Sequence, residues 1–386
     1  MVIQLDGGSS TNKGAQLMMV AVIQELKRSF PDAKLIVNNN NPDDRLIRCL
    51  YGNNYKLLRK RSFYRFVSKL RLEKIASLFS RKLSNFFTVK HAVKGSNVMF
   101  NIGGFQFGDQ WNHNQKNIAN WRDYLLKLHR YGTKIVFLPQ AFGPFEKEGS
   151  KKMLSVLDEF ADILVARDEV SLYYLTSEII KKDKVLLYPD FTASVKGVET
   201  EYSKKHKNKI CVIPNSKIIQ TGVMDYESYQ KAIVKIIDHI CKNGYKVVLL
   251  NHEGLGDYNL CKSIASQTND EVAIVTGLNA VETKGVIASS YMVISSRFHG
   301  VANALSSCVP CLATSWSHKY QKLLDEYEQY DNLLDLTDID KAYSMVDRML
   351  VTTQNDKIRS VLKAKNEIVK AKNLEMWNTI WEMINK

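Results

Sequence analysis

The chain has 386 residues, 45% of them hydrophobic and 24% charged, with only 7 prolines and 19 glycines. That composition belongs to ordinary globular proteins and excludes collagen-like or extensively disordered chains. No apolar run approaches the roughly 18 residues of a membrane-spanning helix, and the opening MVIQLDGGSS does not read as a secretion signal. Six dispersed cysteines (Cys49, Cys211, Cys241, Cys261, Cys308 and Cys311) in so long a chain read as reduced, and so as cytoplasmic.

The net charge of +14 is concentrated in one place. Between Lys56 and Lys94 twelve basic residues face the single acid Glu73, a local +11 that leaves only +3 for the remainder. Phe63, Phe66, Val67 and Leu70 in that stretch follow helical spacing. Residues 56–94 are therefore expected to form a basic amphipathic insertion that could lie on an anionic membrane surface.

In chain order, MVIQLDG, KLIVNNN, SNVMFNIGG, TKIVFLPQ, ADILVARD and KVLLYPDF read as strands. Amphipathic helices are expected between them over Gly14–Arg28, Gln115–Tyr131 and Glu169–Ile180. Near-continuous apolar strands separated by helices call for a parallel sheet covered on both faces. The polar stretch Glu201–Asn208 reads as a linker. The alternation then restarts with KICVIPN, a helix over Tyr226–Lys242, YKVVLLNHE, a helix over Tyr258–Ser266, EVAIVTG, a helix over Ala280–Ser289, YMVISSRFHG and PCLATSW. A last helix is expected over Asp356–Asn385. The expected fold is α/β, two Rossmann-like doubly wound lobes facing a cleft, over residues 1–200 and 209–350, with a helical segment over 351–386.

In such sheets the strand ends carry the ligand. The turn Asp6–Gln16 (DGGSSTNKGAQ) offers glycines and a helix N-terminus, with Thr11 or Asn12 as cap. NIGGFQFGD (Asn101–Asp109) pairs glycines, including Gly104, with the polar Asn101, Gln106 and Asp109. Gln140 is expected to end a strand in LPQAFGPF. Arg167 stands at another strand end, with Asp168 capping the next helix. His252 and Glu253 end YKVVLLNHE, and Asn215 ends KICVIPN.

The sharpest signal is SSRFHGVAN (Ser295–Asn303). On extended backbone Arg297 and His299 project to one side, over the free amides of the helix that follows. A guanidinium fork, an imidazole and free amides make an anion clamp with a proton source. Cys308 and Cys311 have redox-motif spacing but lie between a helix end and a strand, and read as packing. No second cysteine pair completes a zinc site.

Taken together, NKGAQ, NIGG, PQAFGP, ARD, PDF and above all SSRFHG resemble, in order, the motifs of the polysaccharide pyruvyl transferase family. The resemblance implies a GT-B-like fold and transfer of pyruvate from phosphoenolpyruvate onto a sugar as a ketal. That family often has an acidic residue after the Gly of the first loop. Here Gln16 stands one position beyond Ala15, and the loop is expected only to bind. The chemistry needs cations for carboxylate and phosphate, an acid near the methylene carbon and a base for the hydroxyls. His299 is the expected acid or phosphate ligand, with Glu253 or Asp109 as base. Arg297, Arg167, Ser296, Gly300 and Asn215 are expected on the donor, in the second lobe, and Asn12, Asn101, Gly104 and Gln140 on the acceptor, in the first. No metal or redox cofactor is called for.

The expected partners are phosphoenolpyruvate and a glycan or lipid-linked sugar, at the inner face of the membrane if residues 56–94 touch it. One rival is a GT-B glycosyltransferase using a sugar nucleotide. Another, of a different class, is a basic nucleic-acid-binding protein, against which stands the absence of any nucleic-acid motif beside the basic cluster.

Overall fold

The computed structural model describes residues 1–7, 11–38, 43–58, 91–179, 182–314 and 319–385. Most of the basic insertion, including its expected apolar helix face, lies outside the described residues. Two compact units emerge. The first contains Met1–Ser10, Met18–Phe191 and Asn373–Lys386, and the second Thr11–Leu17 and Thr192–Lys372.

The first unit is built on a parallel sheet of eight strands. These are β1 (Val2–Asp6), β2 (Lys34–Asn38), β3 (Tyr55–Leu57), β4 (Val98–Asn101), β5 (Phe105–Phe107), β6 (Lys134–Phe142), β7 (Ile163–Ala166) and β8 (Val185–Leu187). Their order is β3-β2-β1-β4-β6-β7-β8, with β5 added alongside β6. The order reverses between β1 and β4, which places Asp6 and Asn101 at the switch point where doubly wound sheets bind ligands.

The second unit holds β9 (Ile210–Ile213), β10 (Val247–Leu250), β11 (Ala273–Val275), β12 (Met292–Ser295), β13 (Cys311–Thr314) and β14 (Leu333–Leu334). Its order, β11-β10-β9-β12-β13-β14, is that of a dinucleotide-binding sheet, with the switch point between β9 and β12. Alternation along β9 shows why these apolar runs become strands covered on both faces. Cys211 and Ile213 enter one core cluster while Ile210 and Val212 enter another, and all four are buried.

The unit boundaries differ from contiguous cuts at 200, 209 and 350. Glu201–Asn208 is not a linker: Thr200 and Ser203 form a reciprocal cap and Glu201–Lys205 is a helix of the second unit. The last helix, Thr352–Asn385, starts in the second unit, where Leu362 and Val369 join a core cluster. From Asn373 onward it belongs to the first. There Trp381 donates to Glu25 Oε1 at 2.8 Å and packs edge-on against Phe30 and Phe100. Gln140 does not end its strand either. β6 runs on to Phe142 through a register shift, because β5 supplies a partner for its last residues.

Candidate active site

Strand ends of the second unit converge on one polar cluster. β10 is followed by Glu253, at the N-cap position of the helix Gly254–Ala265 without a side-chain capping bond, and by Asp257 in the first turn of that helix. Both carboxylates are favoured at a helix N-terminus, and both reach Arg297. β12 is followed by Ser295, Ser296 and Arg297, the last capping the helix Phe298–Ser306 with extended backbone and no side-chain cap. The N-terminus of that helix, with its partial positive charge, therefore faces the cluster without a side-chain cap.

Arg297 is not an unopposed cation. Its Nε and Nη2 donate to the two oxygens of Asp257 at 2.8 and 2.6 Å, and its Nη1 donates to Glu253. Asp257 is fully buried and also accepts from the Ser216 amide and hydroxyl. Nor do Arg297 and His299 share a face by strand alternation. The helix begins at Phe298, so His299 is already on helical backbone, where strand alternation no longer applies. His299 packs instead against Gly14, where a Cβ would lie 2.0 Å from its Nδ1.

Residues 11–17 join the two halves of the cluster. Asn12 Oδ1 accepts from Ala15 and so caps the helix Lys13–Ser29, while its Nδ2 donates to Glu253 at 3.4 Å. A single bridge pairs Asn12 with Glu253. Gln16 accepts from the Ala280 amide at 2.6 Å, a structural duty that needs no acidic residue. Asn12, expected with the acceptor set of the first unit, thus stands with Glu253 in the second. Nearby His252 is buried. Burial above all, with the charges of Arg297, His299 and Lys13, holds its imidazole well below the usual histidine range.

Three residues expected on the donor prove to be scaffold. Ser296 exchanges hydrogen bonds with the Tyr229 and Thr314 hydroxyls, and its carbonyl accepts from Asn215 Nδ2 and Tyr320. Asn215 Oδ1 accepts from the Lys217 amide. Gly300 is a close-packing position, since a Cβ there would meet Ser295 Oγ at 2.3 Å. Arg167, in the first unit, has a side chain only 7% exposed and ion-paired with Asp190 at 3.7 Å.

The first unit gathers a second polar set. Asn101 Oδ1 accepts from the Gly103 amide at 3.0 Å and from Gln140 Nε2 at 3.3 Å, and both side chains are buried. Gln140 Oε1 has no partner among the described residues. Gly104 adopts φ +71°, which glycine tolerates. Asp109 is not available as a base. Burial alone would raise its pKa, but hydrogen bonds from Ser150 and the Lys147 and Glu146 amides outweigh this and hold it below the usual range. At the end of β1, Asp6 accepts from Tyr124, Gln4 and Asn38. Burial foremost, then the Asp6 charge, pushes the Tyr124 phenol well up.

Sequence reasoning missed Asp257 and the Asp6 group. The i, i+4 spacing from Glu253 was the available signal for the first. Among the described residues no His, Cys, Asp or Glu group could hold a metal ion, and no helix is long and apolar enough to cross a membrane. Cys311 is buried in β13, and burial pushes its thiol up, away from reactivity.

Solved structures share this pairing of Rossmann units, the architecture of GT-B-type enzymes. HepE of Anabaena, solved with UDP and glucose, aligns over 98% of both chains with a TM-score of 0.61 at 10% identity. The UDP-GlcNAc 2-epimerase of Methanocaldococcus jannaschii aligns over 92% of this chain and 94% of its own, with a TM-score of 0.56 at 12% identity. At such identities the likeness establishes the fold alone. Among curated proteins, the amylovoran biosynthesis protein AmsJ of Erwinia amylovora is 24% identical over 208 residues, 48% of this chain, which spans about half of AmsJ. The family model for polysaccharide pyruvyl transferase matches residues 12–318, from the cap of the first helix past the SSRFHG strand end, and the chain belongs to that family.

Proposed function

We propose that the protein transfers pyruvate from phosphoenolpyruvate onto two hydroxyls of a sugar, forming a ketal during polysaccharide synthesis. The observation that supports this most is the cluster in which Arg297, His299, Glu253 and the residue 12–14 segment meet beside an uncapped helix N-terminus. It combines a guanidinium and a helix N-terminus for anions, an imidazole as proton donor and a partly exposed carboxylate as proton acceptor.

The reaction begins when an acid protonates the methylene carbon of the enol, leaving a cationic carbon that one sugar hydroxyl attacks. A second hydroxyl then attacks the same carbon as its bond to the phosphate oxygen breaks. Inorganic phosphate leaves, and two hydroxyl protons must be taken up. His299 serves as acid, Arg297 holds an anionic group, and Glu253 receives hydroxyl protons. No step in this scheme calls for a metal or redox cofactor.

The deciding assay offers phosphoenolpyruvate and, separately, UDP-sugars, each with an oligosaccharide acceptor. Phosphate release with an acid-labile gain of pyruvate on the acceptor is the expected result. Nucleotide release from a UDP-sugar would instead establish the glycosyltransferase reading.

A further inference from the structure

The two carboxylates that share Arg297 are held very differently. Asp257 binds the guanidinium through two N–H groups, is itself held by Ser216 and has no exposed surface. Glu253 takes only Nη1, and its side chain is 28% exposed. Its other oxygen already has a second holder, Asn12 Nδ2 at 3.4 Å. Stripping a buried, multiply bonded ion from its partner is far costlier than replacing a partly exposed one.

We infer that Glu253 is an exchangeable counter-ion of Arg297, whereas Asp257 is a fixed positioning residue. An incoming oxyanion, carboxylate or phosphate, takes Nη1 from Glu253 while Asp257 keeps the guanidinium plane in place. Displaced Glu253 remains tethered at Asn12, with one carboxylate oxygen released from the guanidinium. Donor binding would then prepare the proton acceptor that the next step requires. That consequence rests on the function proposed above; the exchange itself needs only an oxyanion.

Calorimetric titration of the full chain with inorganic phosphate separates the two. Glu253→Gln keeps the shape and removes the competing charge, so phosphate should bind roughly two- to tenfold tighter than to the wild type. Asp257→Asn loosens the guanidinium, so phosphate should bind more weakly. Tightening by both variants would mean simple relief of negative charge, and tightening by neither would mean no competition. Either result overturns the exchange. If Asp257→Asn does not fold, Glu253→Asp, which shortens the reach to Nη1, must also tighten phosphate binding, and failure to do so overturns it. Turnover with phosphoenolpyruvate is read separately. Tighter phosphate binding by Glu253→Gln with slower turnover supports the coupled role. Tighter phosphate binding in a protein that never turns over phosphoenolpyruvate keeps the exchange and removes the pyruvyl reading.

Discussion

Gly14 occupies a helix position where alanine would ordinarily be preferred by about 1 kcal/mol. A Cβ there would lie 2.0 Å from His299 Nδ1, so the imidazole would have to swing away. Gly14→Ala should therefore displace the ring and lower phosphate release from phosphoenolpyruvate roughly 10- to 100-fold, the scale of an ångström-sized misplacement. Full turnover by a folded Gly14→Ala protein would take His299 out of the reaction. His252 yields a stability prediction instead. Its folded-state pKa lies well below the ordinary 6.5, so the unfolded chain binds a proton that the folded one refuses. Stability must then fall as pH drops below about 6.5, by at most about 1.4 kcal/mol per pH unit for this one group. His113 and His206, both lowered chiefly by burial, add to the same slope. Urea midpoints taken from pH 7.5 to 5.5 should decline for the wild type and decline less for His252→Gln; parallel slopes would remove His252 as a contributor. These residues also show what of the site was readable. SSRFHG at a strand end announced Arg297 and His299, because residue type and placement together imply an anion. The pairing of Arg297 with Asp257 and Glu253 was not readable, since they reach it only after β10 and β12 are brought together by the fold. Asp109 looked like a base for the same reason, its three donors being 37 to 41 residues away in the chain.

The elements were legible wherever apolar periodicity was long. All eleven strand segments read from the sequence contain strands, and the helix Tyr226–Lys242 has the bounds its pattern implied. Helices fixed by polar starts were harder to place. Gly254–Ala265 begins a turn before its apolar pattern does, because the carboxylates Glu253 and Asp257 suit its N-terminus. The strands β3, β5 and β14 are only two or three residues long and leave too little pattern to count. The last helix was read as an appendage, yet its final turns complete the first unit. Trp381 is 7% exposed, donates to Glu25 and meets the rings of Phe30 at 4.7 Å and Phe100 at 5.4 Å. Removing that ring leaves a cavity that costs about 3–5 kcal/mol. Trp381→Ala should lose stability on that scale in denaturant titrations. Trp381→Phe should lose much less, because Arg28 and Ser29 still satisfy Glu25. A loss below about 1 kcal/mol for the alanine variant would mean that the helix end is not part of the first unit's core.

At the scale of the whole molecule, charge is the least evenly distributed property. Residues 56–94 carry +11 of the net +14, and the other 347 residues share +3. A uniformly basic protein would attract any polyanion through its whole surface, whereas one concentrated segment acts as a local anchor. Phe63, Phe66, Val67 and Leu70 add apolar side chains at helical spacing within the same segment. Basic residues near an anionic bilayer contribute about 1 kcal/mol each, and the attraction fades within a Debye length of about 10 Å at 0.1 M salt. Half of the twelve would suffice for measurable binding. The full chain should co-sediment with vesicles containing phosphatidylglycerol, release from them as salt is raised, and ignore neutral phosphatidylcholine vesicles. Exchanging Arg59, Lys60, Arg61 and Arg65 for glutamate should abolish the binding while leaving phosphate release from phosphoenolpyruvate with a soluble oligosaccharide unchanged. On this reading a lipid-linked acceptor would be used less well by that variant, since it would no longer share a surface with the protein. Equal binding to neutral and anionic vesicles, or none to either, would leave the basic segment without a membrane role.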